Sequence, residues 1–191
     1  MTLSSRFTEA LTYAAELHAS QHRKASGEPY VSHLLGVTSL ALQYGADEDE
    51  AIAALLHDAV EDQGGAVARE AIRERFGSRV VEIVDGCSDT DLSPKPPWRD
   101  RKKAYIAHLR EATDSVRFIS AADKLHNVRS ILQEYRMTGP ELWKHFGGGR
   151  DGTLWYHRGV VETLKQVAPS PIVEELDRAV RELERLAAQE P

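Results

Sequence analysis

A chain of 191 residues, 41% hydrophobic and 28% charged, suits one globular domain with a sizeable core. A formal charge of −6 argues against a general binder of nucleic acid or of an anionic membrane, and the single cysteine, Cys87, excludes an intrachain disulfide and disfavours a cysteine-based zinc site. No apolar run approaches membrane-spanning length and the first residues lack a signal pattern, so a cytoplasmic location is expected, with no membrane partner.

Taken in order, the elements read as helices. Phe7, Leu11, Ala14, Ala15 and Leu17 recur at helical spacing over about four turns. Gln21 to Tyr30, with Gly27 and Pro29, reads as a loop. His33 to Tyr44 is a second helix closed by Gly45. Asp47 and Glu50 have capping-box spacing for a third helix, which is expected to stop at Gly64-Gly65. Ala66 to Phe76 is a fourth, followed by Gly77. The run Val80 to Val84 is β-branched enough for a strand. No partner strand is visible to take its backbone hydrogen bonds, so helix is expected.

Pro94, Pro96 and Pro97 make Ser88 to Trp98 a loop. Two longer helices follow, Arg99 to Ala112 and Ser115 to Arg136. Gly139-Pro140 starts a short one, Gly147-Gly148-Gly149 breaks the chain, and Thr153 to Val167 resumes it. Ser170-Pro171 opens a last helix reaching residue 189, in N-cap and N1 positions. The expected fold is all-α, a single domain over 1–191.

The chemistry concentrates in Ala53 to Asp62, where an apolar run ends in His57, Asp58, Glu61 and Asp62. At about 100° per residue these four fall within an arc of roughly 140°. Carboxylates at a helix C-terminus are unfavourable by roughly 0.3–1 kcal/mol each, and a bound cation reverses that sign. A solvated acidic helix end is the other reading of the same residues. A second cluster, Ala122-Asp123-Lys124-Leu125-His126-Asn127, places Asp123 and Asn127 on one helix face, which Ser130 continues. His33, just after Glu28-Pro29-Tyr30, is a third candidate. Two histidines and two aspartates suit a borderline or hard divalent ion such as Mn²⁺, Fe²⁺ or Zn²⁺. Adjacent residues on one helix do not share a direction, so other elements must supply ligands from across a bundle.

These residues carry a resemblance. The order His33, His57-Asp58, Asp123 resembles the HD-domain metal phosphohydrolases. The stretches Arg23-Lys24-Ala25-Ser26-Gly27-Glu28-Pro29-Tyr30-Val31-Ser32-His33, Ala54 to Asp62 and Ala122 to Arg129 narrow it to the hydrolase domain of RelA/SpoT homologues, of the small alarmone hydrolase type. The likeness spans roughly residues 7–165. It implies an HD-type helical bundle that removes the 3′-pyrophosphate of ppGpp and pppGpp. It further implies one Mn²⁺ per chain held by His33, His57, Asp58 and Asp123, with Glu61 and Asp62 as the catalytic acidic pair. Arg23 and Lys24 match the pair that packs on the guanine base, and Asn127 a residue lining the nucleotide pocket.

Residues 95–103 add Lys95, Arg99, Arg101, Lys102 and Lys103 against Asp100 alone, either a clamp for a polyanionic nucleotide or a basic solvated helix start. Trp155 and Tyr156 are aromatic candidates for closing over a substrate or for the core. Leu34, Gln63 and Ser120 depart from the family pattern, at positions where proline, threonine and lysine are usual. These departures leave the metal and acid sets intact and put nucleotide specificity in question. Two alternatives stay open: an HD phosphohydrolase of another nucleotide, such as (p)ppApp or NADPH, and a degenerate nucleotide-binding module.

Overall fold

A computed structural model of the chain describes residues 2–90 and 94–189. Positions 91–93 of the expected proline-rich loop, and positions 1, 190 and 191 of the expected domain, lie outside the described residues. Helix α1 (Ser5–Leu17) starts where the Ser4 hydroxyl oxygen accepts from the Arg6 backbone N–H, satisfying one orphan donor of the first turn. Helix α2 spans Val31–Gln43. The loop joining them is a closed clasp. Residues His22 and Pro29 form an antiparallel bridge, the Arg23 N–H donates to the Glu28 carbonyl and the Tyr30 N–H to the Gln21 carbonyl, each at 2.9 Å.

Helix α3 (Glu48–Leu56) opens on the capping box that Asp47 and Glu50 predict. Every residue from Ala51 to Leu56 is buried. A helix apolar on all sides belongs inside, and α3 packs against α1, α2, α6 (Ser78–Cys87) and α8 (Asp114–Thr138).

The expected third helix does not run unbroken to Gly64. It ends at Leu56; His57 is its C-cap, and Asp58, at φ −99° and ψ −2°, precedes a separate short helix α4 (Ala59–Gln63). The cause is local. In an uninterrupted helix the Ala54 carbonyl accepts from the Asp58 N–H. Here the His57 Nδ1–H takes that carbonyl at 2.9 Å. The electrostatic expectation changes with it. Glu61 and Asp62 lie on α4 rather than at the carbonyl end of α3, and in a helix of five residues they belong to its first and last turns alike. The macrodipole penalty expected at the end of a long helix therefore does not apply to them.

Helix α5 covers Gly65–Phe76, and α6 is helical as expected, burying Val80, Val81, Ile83 and Val84. Helix α7 (Trp98–His108) ends before Ala112. Helix α8, 25 residues long and capped by the Thr113 side chain, forms the spine, touching α2, α3, α6, α9 (Gly149–Val167) and α10 (Pro171–Ala187). The short Gly139–His145 segment is a 3-10 helix. Helix α9 starts at Gly149, earlier than Thr153, and the glycine before it makes room for an aromatic. A Cβ at Gly148 would meet the Trp98 ring at 2.5 Å. Pro171 sits at the start of α10 as expected, but Ser170 makes no side-chain cap. Ile172, Val173, Leu176, Val180 and Leu183 seat α10 on α8 and α9, each contributing roughly 1.5–3 kcal/mol of burial. Among the described residues there is no strand, so the fold is all-α, and no helix is long and apolar enough to cross a membrane.

Candidate metal and nucleotide site

Three elements converge behind one cleft. The first turn of α2 supplies His33, the α3–α4 break supplies His57 and Asp58, and the middle of α8 supplies Asp123. The Nε2 atoms of His33 and His57 lie 3.3 Å apart. Asp58 Oδ2 is 3.0 Å from His57 Nε2 and 3.6 Å from His33 Nε2. Asp123 Oδ1 approaches the same nitrogens from α8, at 3.3 Å from His33 and 3.7 Å from His57. Atoms bound to one ion at about 2.1 Å lie about 3.0–3.4 Å apart at right-angled or tetrahedral positions. The observed separations fall within a few tenths of an ångström of that. His33, His57 and Asp58 each bring one ligand atom within 4.8 Å of the others, a group that does not include Asp123.

Charge points the same way. Burial opposes ionisation of His57, yet Asp58 and Asp123 hold its imidazolium well above the ordinary histidine range. Against the same burial, Lys124 and the histidines hold Asp123, and the histidines hold Asp58, well below the usual carboxylate range. The cluster therefore attracts positive charge, which a divalent cation supplies while displacing the proton.

The acidic pair lies one turn further along, on α4. Burial raises the Glu61 carboxyl above the usual range, with Asp89 adding to the rise and Lys95 opposing it from 2.9 Å. Asp62 accepts from Gln21 Nε2 at 2.8 Å. Both carboxylates line a cleft of about 660 Å³ with Asp58, Asp123, Arg23, Lys24 and Asn127. Within it Arg23 Nη2 donates to Asn127 Oδ1 at 2.9 Å, and Asn127 Nδ2 donates to Asp123 Oδ1, so the loop clasp is tied to α8. Ser130 lines the cleft as well.

The basic run divides. Lys95, Arg101 and Lys102 line the cleft, but Arg101 and Lys102 grip the buried carboxylate of Asp89, and Lys95 grips Glu61. Arg99 stacks over the Trp155 ring at 4.1 Å. Tyr156 lines the cleft while being 5% exposed, so it serves both the core and the cavity. Ser120, at the expected lysine position, is fully buried and bonded to the Tyr105 hydroxyl at 2.7 Å.

Tyr30 and Gln21 carry no role legible in the sequence. Tyr30 Oη donates to Asp58 Oδ2 at 2.6 Å, and Gln21 joins Asp62 to the buried His18. Their nearness to Arg23-Lys24 in the chain was the available signal; the contacts themselves depend on how the clasp folds back.

The HD-domain family model matches residues 10–154. The chain belongs to the HD-domain family. It is 36% identical over 138 residues to guanosine-3′,5′-bis(diphosphate) 3′-pyrophosphohydrolase MESH1 of Xenopus tropicalis, across 71% of this chain and 72% of that one. It is 34% identical to the Drosophila melanogaster MESH1 over 165 residues, across 85% and 86%. Identity with the guanosine-3′,5′-bis(diphosphate) 3′-pyrophosphohydrolase of Haemophilus influenzae is 38% over 124 residues, and the match spans 17% of that longer protein. A solved structure described as a metazoan ortholog of SpoT that hydrolyzes ppGpp superposes with a TM-score of 0.77 at 27% identity, over 95% of this chain and 97% of that one. The Listeria monocytogenes protein lmo0812 superposes at 0.70 and 29% identity, over 80% and 99%. Membership of the HD-domain family implies a divalent metal, and the His33–His57–Asp58 group fits one.

Proposed function

We propose that this chain is a metal-dependent 3′-pyrophosphohydrolase of ppGpp and pppGpp, yielding pyrophosphate and GDP or GTP. The observation that carries the reading is the convergence of His33, His57, Asp58 and Asp123 at the base of a cleft whose loop side carries Arg23 and Lys24. The activities named for the MESH1 relatives support the choice of substrate.

His33, His57, Asp58 and Asp123 would hold one divalent ion; their mixed nitrogen and oxygen donors suit Mn²⁺, Fe²⁺ or Zn²⁺ alike, and we assign Mn²⁺ from the resemblance to the RelA/SpoT hydrolases. When bound, such an ion polarises a phosphoryl oxygen and makes a coordinated water more acidic. The chain's own groups do the rest. Glu61, its affinity for a proton raised by burial, accepts the proton of the attacking water. Asp62, anchored by Gln21, orients that water. Water adds across the bond between the 3′-oxygen and its phosphorus, leaving a 3′-hydroxyl. Arg23 and Lys24 offer a cationic face to the base, and Asn127 joins that face to Asp123. Lys95 offers charge to a phosphate arm beside Glu61. The test is direct: Mn²⁺-loaded protein releases pyrophosphate from ppGpp and chelator-stripped protein does not. A fully loaded protein that leaves ppGpp intact overturns the proposal.

A further inference from the structure

Both histidines of the cluster present Nε2 to it, so each carries its ring proton on Nδ1 when ligating, and something must hold that proton. For His57 the main chain does so, through the Ala54 carbonyl at 2.9 Å. For His33 the partner is a side chain. His33 Nδ1 lies 2.9 Å from His126 Nδ1, the two rings meeting edge to face with centroids 4.9 Å apart. One proton serves that contact. His33 donates and His126 accepts, which places the His126 proton on its own Nε2.

That Nε2 is aimed at Gly36. A Cβ on Gly36 would lie 2.1 Å from His126 Nε2 and 2.2 Å from its Cδ2. Gly36 is in the interior of α2, one turn after His33, and is not among the residues with positive φ. Glycine in a helix interior costs about 1 kcal/mol relative to alanine, so the backbone supplies no reason for it. The His126 ring does.

On the reading that His33 is a metal ligand, we infer that His126 is the positioning residue that holds His33 with a bare Nε2 facing the cluster, and that Gly36 is the notch that admits its ring. His126 stands three residues after Asp123 on α8, so one helix supplies both a ligand and the orienter of a ligand on another. Aligning α2 against α8 is thereby coupled to presenting His33 correctly.

The experiment is calorimetric titration of Mn²⁺ into chelator-stripped wild type, His126→Phe, His126→Asn and Gly36→Ala, with the melting temperature of each metal-free protein. His126→Phe keeps the ring volume and removes the acceptor. It should bind Mn²⁺ about 10–100-fold more weakly while melting near wild type. In His126→Asn the Oδ1 stands near the position of Nδ1 and should recover most of that loss. Gly36→Ala, which displaces the ring, should weaken binding like His126→Phe. Long-range ¹H–¹⁵N spectra of the metal-free protein at alkaline pH should show His33 as the Nδ1–H tautomer in wild type and His126→Asn, and as a mixture in His126→Phe. Wild-type affinity in His126→Phe, or equal losses in the Phe and Asn variants, overturns the positioning role and leaves the metal reading standing. A wild type that binds no divalent ion overturns both. If His126→Phe does not fold, His126→Ala against His126→Asn makes the same comparison.

Discussion

His57 and Asp58 are consecutive in the chain, yet Nε2 of one lies 3.0 Å from Oδ2 of the other. Along an unbroken helix successive side chains diverge by about 100°. The break between α3 and α4 removes that divergence, and the histidine makes the break itself by taking the Ala54 carbonyl. The histidine proposed as a ligand is the residue that turns the backbone and brings Asp58 beside it.

Metal content should follow from this. Wild type is expected to hold one divalent ion per chain, and His57→Ala and Asp123→Ala to lose both ion and activity. His57→Ala also frees the Ala54 carbonyl, so α3 should extend into α4. Elemental analysis and crystal structures of the variants check the two effects separately. Undiminished metal in both variants would place the site elsewhere.

Ligand and catalyst roles separate at the next turn. Glu61→Gln and Asp62→Asn are expected to keep the ion and lose about 10²–10⁴-fold in turnover, the usual worth of general acid–base catalysis. Gln21→Leu, which removes the donor to Asp62, should lose less and leave metal content unchanged. Single-turnover rates alongside metal analysis give the answer. An acid whose variant loses metal in step with activity is a ligand instead.

The Lys95–Glu61 contact predicts a pH effect. Burial raises the Glu61 carboxyl and Lys95 opposes the rise, so Lys95→Met should raise it further. A base works only when ionised, so activity falls as pH drops through its pKa. Raising that pKa moves the acid limb of kcat/KM to higher pH, by about one unit if the contact contributes about 1.4 kcal/mol. Lys95 also lines the cleft, so the position of the limb is the diagnostic and not its height. An unmoved limb would remove Glu61 as the base.

How much of this could be read from the chain differs by residue. The capping box at Asp47 and Glu50 came from local chemistry, the helical reading of Val80–Val84 from the lack of a partner strand and against its local β-branching, and both hold. The helix break at His57-Asp58 was not legible, because nothing in helical periodicity says that a histidine will bond to the carbonyl three residues back. Asp89 taking up Arg101 and Lys102 was equally illegible, since it joins elements across the proline-rich loop. Gly36 is the plainest case. In the sequence it is one weak residue in a helix, and its reason lies 90 positions away, in the ring of His126.

The last two helices are held by a carboxylate with three cations. Asp177 on α10 accepts from Arg158 at 2.7 Å, Lys165 at 2.9 Å and Arg181 at 3.0 Å. Arg181 foremost, with Lys165 and Arg158, holds its pKa well below the ordinary carboxylate value. A carboxyl depressed on folding adds stability that is fully present above its unfolded pKa of about 3.9 and is lost as pH falls through the folded value. Asp177→Asn should therefore cost about 2 kcal/mol or more at neutral pH, and the gap should close in acid. Urea midpoints of both proteins at neutral and strongly acidic pH test this. A gap that stays constant with pH would mean that shape, not charge, holds α10 down.

Substrate choice rests on the base. Arg23 is fixed in place by Asn127 at 2.9 Å, with its guanidinium carbon 5.7 Å from the Tyr30 ring centre, and on the proposed function it meets a base as a cationic face. Stacking discriminates bases weakly, because every base has a π-face. The adenine counterpart ppApp is therefore expected to be cleaved within about tenfold of ppGpp in kcat/KM, a difference of ~1.4 kcal/mol. Arg23→Ala should weaken both substrates alike, which a base-specific hydrogen bond would not do. Chromatography should show GDP and pyrophosphate from ppGpp, with the 5′-diphosphate untouched. Single phosphate released from ppGpp would refute cleavage at the 3′-oxygen. Inertness towards ppGpp with rapid loss of the 2′-phosphate of NADPH would assign the same metal and acids to a different nucleotide, with the Arg23 clasp rather than the cluster setting the choice.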